Sequence, residues 1–103
     1  MESTFQEFVG QVMTMKLTSG EELVAKVIEA SGQFITLSEP VSIIPSQRGV
    51  GLQPSMFTAE PDAIVRLNTN NVTLFALTED GVKMKYIEAT TGITVPDKKL
   101  ILG

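Results

Sequence analysis

Residues 17–44, LTSGEELVAKVIEASGQFITLSEPVSII, hold the pattern that decides the fold. Two apolar runs alternate around short polar breaks, and alternation with a period of two is the signature of half-buried strands. Ser19-Gly20 supplies a tight turn. The run after it places Leu23, Ala25 and Val27 on one face and Val24 and Ile28 on the other. Ser31-Gly32-Gln33 is the second break, and the next run puts Ile35, Leu37, Val41 and Ile43 on a single face. Pro40 lies inside that run. Proline cannot donate to a ladder, so the strand must bend, bulge or lie at an edge there. Just upstream, Met13, Met15 and Leu17 alternate with Thr14, Lys16 and Thr18, which adds a strand in front.

Working outward, the first ten residues read as a short helix. Thr4 and Glu7 have capping-box spacing, Phe5, Phe8 and Val9 fall on one side, and Gly10 is a stop. A helix this short must dock on something apolar. Residues 45–62 read as an extended loop or hairpin with Arg48-Gly49 at its tip and Met56-Phe57 packed on a neighbour or on the N-terminal helix. Ala63 to Leu67 is a short strand, and Asn68-Thr69-Asn70-Asn71 is a turn, because asparagine tolerates positive φ and bonds its own backbone. Val72 to Leu77 is nearly continuous apolar sequence, the mark of a strand buried on both faces.

Residues 78–92 carry two signals. Asp80-Gly81 before alternating Val-Lys-Met-Lys-Tyr fits a hairpin. Thr78 as a cap, acids in the first turn, a Val82–Tyr86–Ala89 stripe and a Gly92 stop fit a C-terminal helix, and the balance tips to helix. Ile93 to Pro96 reads as a short strand or tail.

At 103 residues the chain is expected to form one domain, spanning 1–103. It has no cysteine and no histidine, so a thiolate site, a disulfide and the commonest general base are all ruled out. No cofactor is expected, and no catalytic set stands out, so the chain reads as a non-enzyme. Glu21-Glu22 and Glu79-Asp80 are carboxylate pairs beside turns, where solvated charge is the simpler explanation. Eight basic residues against twelve acidic ones give a net charge of −4, whereas nucleic-acid binders usually carry a basic surplus. Four of the basic residues (Lys83, Lys85, Lys98 and Lys99) fall in the last fifth of the chain. No apolar run approaches the ~20 residues of a membrane helix, and the N-terminus lacks a signal-peptide pattern. A cytoplasmic protein without a membrane partner is expected.

A short helix followed by about five bent strands implies a small open barrel of Sm-like or OB type. The motifs tip that choice. Met13 to Leu17, Ser19-Gly20, Leu23 to Val27, Ser31 to Gln33 and Ile35 to Leu37 resemble the first motif of the Sm and LSm proteins, with Ala25 where that family has glycine and Thr36 where it has asparagine. Asn68-Thr69-Asn70-Asn71-Val72 is similar to the family's Arg-Gly-Asn-Asn-Val-like turn, with the arginine and glycine replaced. The whole chain, with Tyr86, Gly92, Ile93, Val95 and Pro96 near its end, is also similar to small Sm-like proteins encoded by phages of marine cyanobacteria.

The resemblance implies a mainly β, Sm-like (SH3-type), small open five-stranded barrel. It also implies a homo-oligomeric ring of roughly five to seven copies, closed by heterologous pairing between the fourth and fifth strands. Val65, Leu67, Val72, Leu74 and Phe75 would form that interface. Single-stranded RNA or DNA would be gripped at Gln33 and Thr36 from the first motif and Asn68, Asn70 and Asn71 from the second, with Arg66 beside them. If the chain is phage-encoded, its setting is the host cytoplasm. A protein–protein scaffold without nucleic acid is the alternative.

Overall fold

The computed structural model describes residues 5–60 and 63–91. A short 3-10 turn, Gln6–Phe8, leads into β1 (Val12–Leu17), β2 (Glu22–Ser31), β3 (Phe34–Ser46) and β4 (Gly49–Pro54). After a loop come β5 (Ile64–Asn68), a second 3-10 turn (Thr69–Asn71), β6 (Val72–Leu77) and the helix α1 (Asp80–Thr91). The sheet runs β4-β3-β2-β1-β6, all described ladders are antiparallel, and β5 joins it only through β3.

The expected five-stranded barrel is not what forms. Among the described residues there are six strands, and the sheet is open: β6 ends the path on β1, and no described ladder joins β6 to β4 or β5. The sixth strand comes from the 45–62 segment, which folds back on β3 as β4 with Ser46 opposite Gly49. The mainly β class and the C-terminal helix stand, and the short helix expected over residues 1–10 is present, among the described residues, as the three-residue 3-10 turn Gln6–Phe8. Thr4, Gly92 and the Ile93–Pro96 segment lie outside the described residues.

Pro40 produces the main departure from simple alternation. Val24 pairs with Val41 and Lys26 with Ser38, so Ala25 alone faces both Glu39 and Pro40. This is a β-bulge, and Glu39 takes a positive φ of 53° to make it. One extra residue reverses the side-chain parity of everything after it. Ile35 and Leu37 therefore pack in one core, while Val41 and Ile43 pack in the other, and the expected single face is split in two. A second shift, at Ile28 between the Val27–Leu37 and Glu29–Thr36 pairs, adds to the bend of β2.

The two cores lie on opposite faces of the sheet. One gathers Met13, Met15, Ala25, Val27, Ile35 and Leu37 under Phe5 and Phe8. The aromatic rings continue onto β6, with Phe5 and Phe75 centroids 4.4 Å apart and Phe8 edge-on to Phe75 at 5.6 Å. The other core packs Val12, Val24 and Val41 against Tyr86 of α1, with Val82 and Ile87 beside it. Ala89, expected in that stripe, is exposed. Glu79 rather than Thr78 caps the helix, its carboxylate accepting the Val82 N–H at 3.0 Å. Thr78 is buried and bonded to the Thr14 hydroxyl at 2.9 Å.

Tyr86 repairs the bulge. Its hydroxyl accepts from the Lys26 N–H (3.0 Å) and donates to the Ser38 carbonyl (2.6 Å), bridging the two strands beside the extra residue. Burial holds the phenol above its ordinary pKa, the Lys26 bond pulls it back down, and the negative charge of Glu39 raises it further.

Candidate functional site

The β2–β3 turn and the β5–β6 turn meet. Gly32 takes φ 58°, which lets the chain reverse within Ser31-Gly32-Gln33 and aims the Gln33 carbonyl outward. That carbonyl accepts from both the N–H (2.7 Å) and the hydroxyl (3.1 Å) of Thr69. Asn68 Oδ1 accepts the Asn70 N–H at 2.9 Å, an Asx turn that starts the 3-10 segment. At the other end, the Thr18 N–H reaches the Asn71 carbonyl (2.8 Å) and the Thr18 hydroxyl approaches Asn71 Oδ1 at 3.4 Å. The Asn68–Asn71 segment thus ties the start of β3 to the end of β1.

Of the expected contact residues, Gln33, Asn68, Asn70 and Asn71 are brought together here. Gln33, Asn70 and Asn71 are exposed and Asn68 is half-buried. Two of the amides already use an oxygen within the chain, and no hydrogen bond engages the Asn70 side chain among the described residues. Thr36 and Arg66 are partners across the β3–β5 ladder, two residues along from the Phe34–Asn68 pair. Arg66 is exposed, whereas Thr36 is buried.

Directly opposite residues share a face, so Phe34, Thr36, Asn68 and Arg66 lie on one side of the sheet. Phe34 is 45% exposed there. Sequence reading missed it as a functional residue, although it directly follows Gln33. It supplies an aromatic surface beside the amides and a cation. Thr18 and Thr69 were also missed, since only the folded chain brings them to the turn.

The expected interface residues divide. Leu67 and Val72 pack on the first core. Leu74 is 64% exposed, Phe75 40% despite its aromatic partners, and Leu77 57%. The strand read as buried on both faces is therefore open on both. Its alternation is set by the Thr78 N–H reaching the Val12 carbonyl at 3.2 Å, which leaves the main-chain groups of Phe75 and Leu77 directed to the free edge. On β5, Val65 is half-buried and Ile64 is 63% exposed. Met56 and Phe57 are 51% and 75% exposed, contrary to the packing expected of them.

Among the described residues no group of three or more acidic, histidine or cysteine side chains could hold a metal ion. No described helix is long and apolar enough to cross a membrane. No protein-family model matches the chain, and no curated protein matches it.

Proposed function

We propose that this chain is a self-assembling binding module whose copies join edge to edge, β5 of one against β6 of the next, in a homo-oligomeric ring. The observation that supports this most directly is β6 itself, an apolar strand with Leu74 and Leu77 more than half exposed and, among the described residues, an outer edge without a partner strand. Proteins normally blunt such edges with charge, proline or a cover; Val72–Leu77 holds no charge and no proline, and no described strand covers its outer edge. Pairing with a different strand of the next copy is heterologous, and it closes into a ring where the rotation allows.

In this reading the ring holds single-stranded RNA or DNA at the turn cluster, with Phe34 stacking a base, Asn70 and Asn71 reading its edge and Arg66 near the phosphate. A scaffold without nucleic acid is the second reading, favoured by the net charge of −4. A cytoplasmic setting fits both.

Light scattering at micromolar concentration tests the assembly. The wild type should give a mass several times that of one chain, and the Leu74→Lys/Leu77→Lys variant should give a folded monomer. A wild-type monomer, or a dimer that does not grow, would sink the ring. Titration with short oligo-U and oligo-A at low and moderate salt separates the two readings. Asn70→Ala/Asn71→Ala and Phe34→Ala should each weaken binding while leaving the mass unchanged, and no binding at low salt would leave the scaffold.

A further inference from the structure

We propose that the cleft between α1 and the bulged part of β2–β3 binds a small phosphate monoester, held by Lys26, Lys83 and Ser38. A cavity of about 430 Å³ opens there, lined by all three residues together with Glu39, Tyr86 and Ile87. Its construction follows from the strands and the helix. Val24 and Lys26 alternate onto the α1 side of β2, and Ser38 stands directly opposite Lys26, so those two side chains share that side. On α1, Lys83, Tyr86 and Ile87 have the i, i+3, i+4 spacing that lines one helix face.

Three donors of this cleft, on Lys26, Lys83 and Ser38, are without work. Among the described residues neither ammonium has an ion-pair partner, and the Ser38 hydroxyl has no hydrogen-bond partner. The Tyr86 hydroxyl is already committed to Lys26 and Ser38 main-chain groups and forms a fixed wall. Two cations and a hydroxyl donor, with the one opposing charge of Glu39 in the same lining, suit a compact anion with several acceptor oxygens.

Glu39 adds a second requirement. The bulge that gives it a positive φ of 53° also places it on the lining of this cleft, where its carboxylate can accept from the ligand. A phosphate monoester whose organic part carries a hydroxyl therefore fits better than inorganic phosphate. The cleft is walled by helix and sheet, a shape for a small molecule rather than for a polymer lying along a surface.

The chain has one tyrosine and no tryptophan, so its intrinsic fluorescence reports from the wall of this cleft. Inorganic phosphate and glycerol 3-phosphate would be titrated at constant ionic strength against chloride, with amide NMR shifts at Lys26 and Tyr86 as a second readout. A saturable change is expected with both, tighter for glycerol 3-phosphate. Lys26→Gln and Lys83→Gln should each weaken it by about tenfold. Both are on the surface side of the packing, and circular dichroism checks that they fold. Glu39→Gln should erase the preference for glycerol 3-phosphate over phosphate. The proposal is overturned if neither readout saturates, if chloride gives the same response, if only a short oligonucleotide responds, or if the lysine variants bind like the wild type.

Discussion

Met13, Met15, Ala25, Val27 and Ile35 are fully buried, whereas Ile64, Leu74 and Leu77 are each more than half exposed. Both sets belong to apolar-rich antiparallel strands of one sheet. The difference is position. β1, β2 and the first half of β3 have a ladder on each side and a cover on each face, aromatic rings on one and α1 on the other. Among the described residues β5 and β6 each hold one ladder and end the sheet. The same residue types thus complete a core in the middle of the sheet and present a sticky rim at its ends, and each side of that contrast can be tested.

The largest effect belongs in the centre. Ile35→Ala removes a fully buried side chain from the core beneath Phe5. It should cost about 2–5 kcal/mol of unfolding free energy, the range for large-to-small changes in cores that cannot collapse onto the gap. Urea unfolding followed by circular dichroism measures this. A loss below about 0.5 kcal/mol, typical of surface positions, would mean the centre is no better packed than the rim.

Next is the bulge. Tyr86→Phe leaves the Lys26 N–H and the Ser38 carbonyl without the hydroxyl that joins them. An orphaned buried polar group costs about 1–3 kcal/mol, and that is the expected loss. The tyrosine also sets a pH limit. Its folded pKa lies above the ordinary value of about 10, so the folded chain holds this proton more tightly than the unfolded one. That contribution is full below pH ~10 and is lost as pH rises through the folded pKa. Wild-type stability should therefore fall in alkaline solution more steeply than that of Tyr86→Phe. Parallel pH profiles would show the phenol to be uncoupled from folding.

This bulge is also where sequence reading reached its limit. Alternation identified β1, β2 and both halves of β3, and Pro40 marked a necessary irregularity. It could not say which kind, and a bulge, unlike an edge, flips every later residue. Ile35 and Leu37 were therefore placed rightly together, and Val41 and Ile43 wrongly with them. The Asn68–Asn71 turn was legible because asparagine's own side chain makes it, as the Asn68–Asn70 bond shows. Phe34 was not, since its exposure depends on β5 arriving beside it. The apolar run of β6 was legible as a strand, but its burial was misjudged, because hydrophobicity alone does not record where in the sheet a strand falls. The expected barrel failed at the strand order rather than at any one strand: residues 49–54, read as loop or hairpin, add to the outer edge of β3 as β4, and β6 ends the described sheet on β1.

A smaller effect tests the turn that brings the amides together. Gly32 needs φ 58°, and open space surrounds the position a Cβ would take, so the penalty is conformational rather than steric. Gly32→Ala should cost about 1 kcal/mol, with Gly32→Asn milder because asparagine accepts left-handed backbone. Denaturation midpoints of the two variants decide it, and equal losses would mean that a Cβ at this position is opposed by packing.

The smallest effect on stability should come from the rim, and there it is the smallness that carries information. Leu74 is 64% exposed, so Leu74→Ala ought to change the unfolding free energy of a dilute monomer by less than about 0.5 kcal/mol. If copies pair at β6, the same substitution should nevertheless raise the concentration needed for assembly, measured by light scattering across a dilution series. A residue that contributes almost nothing to its own fold and measurably to association is covered by another molecule. Loss of monomer stability comparable to Ile35→Ala would instead place Leu74 inside a core, and the contrast between centre and rim would disappear.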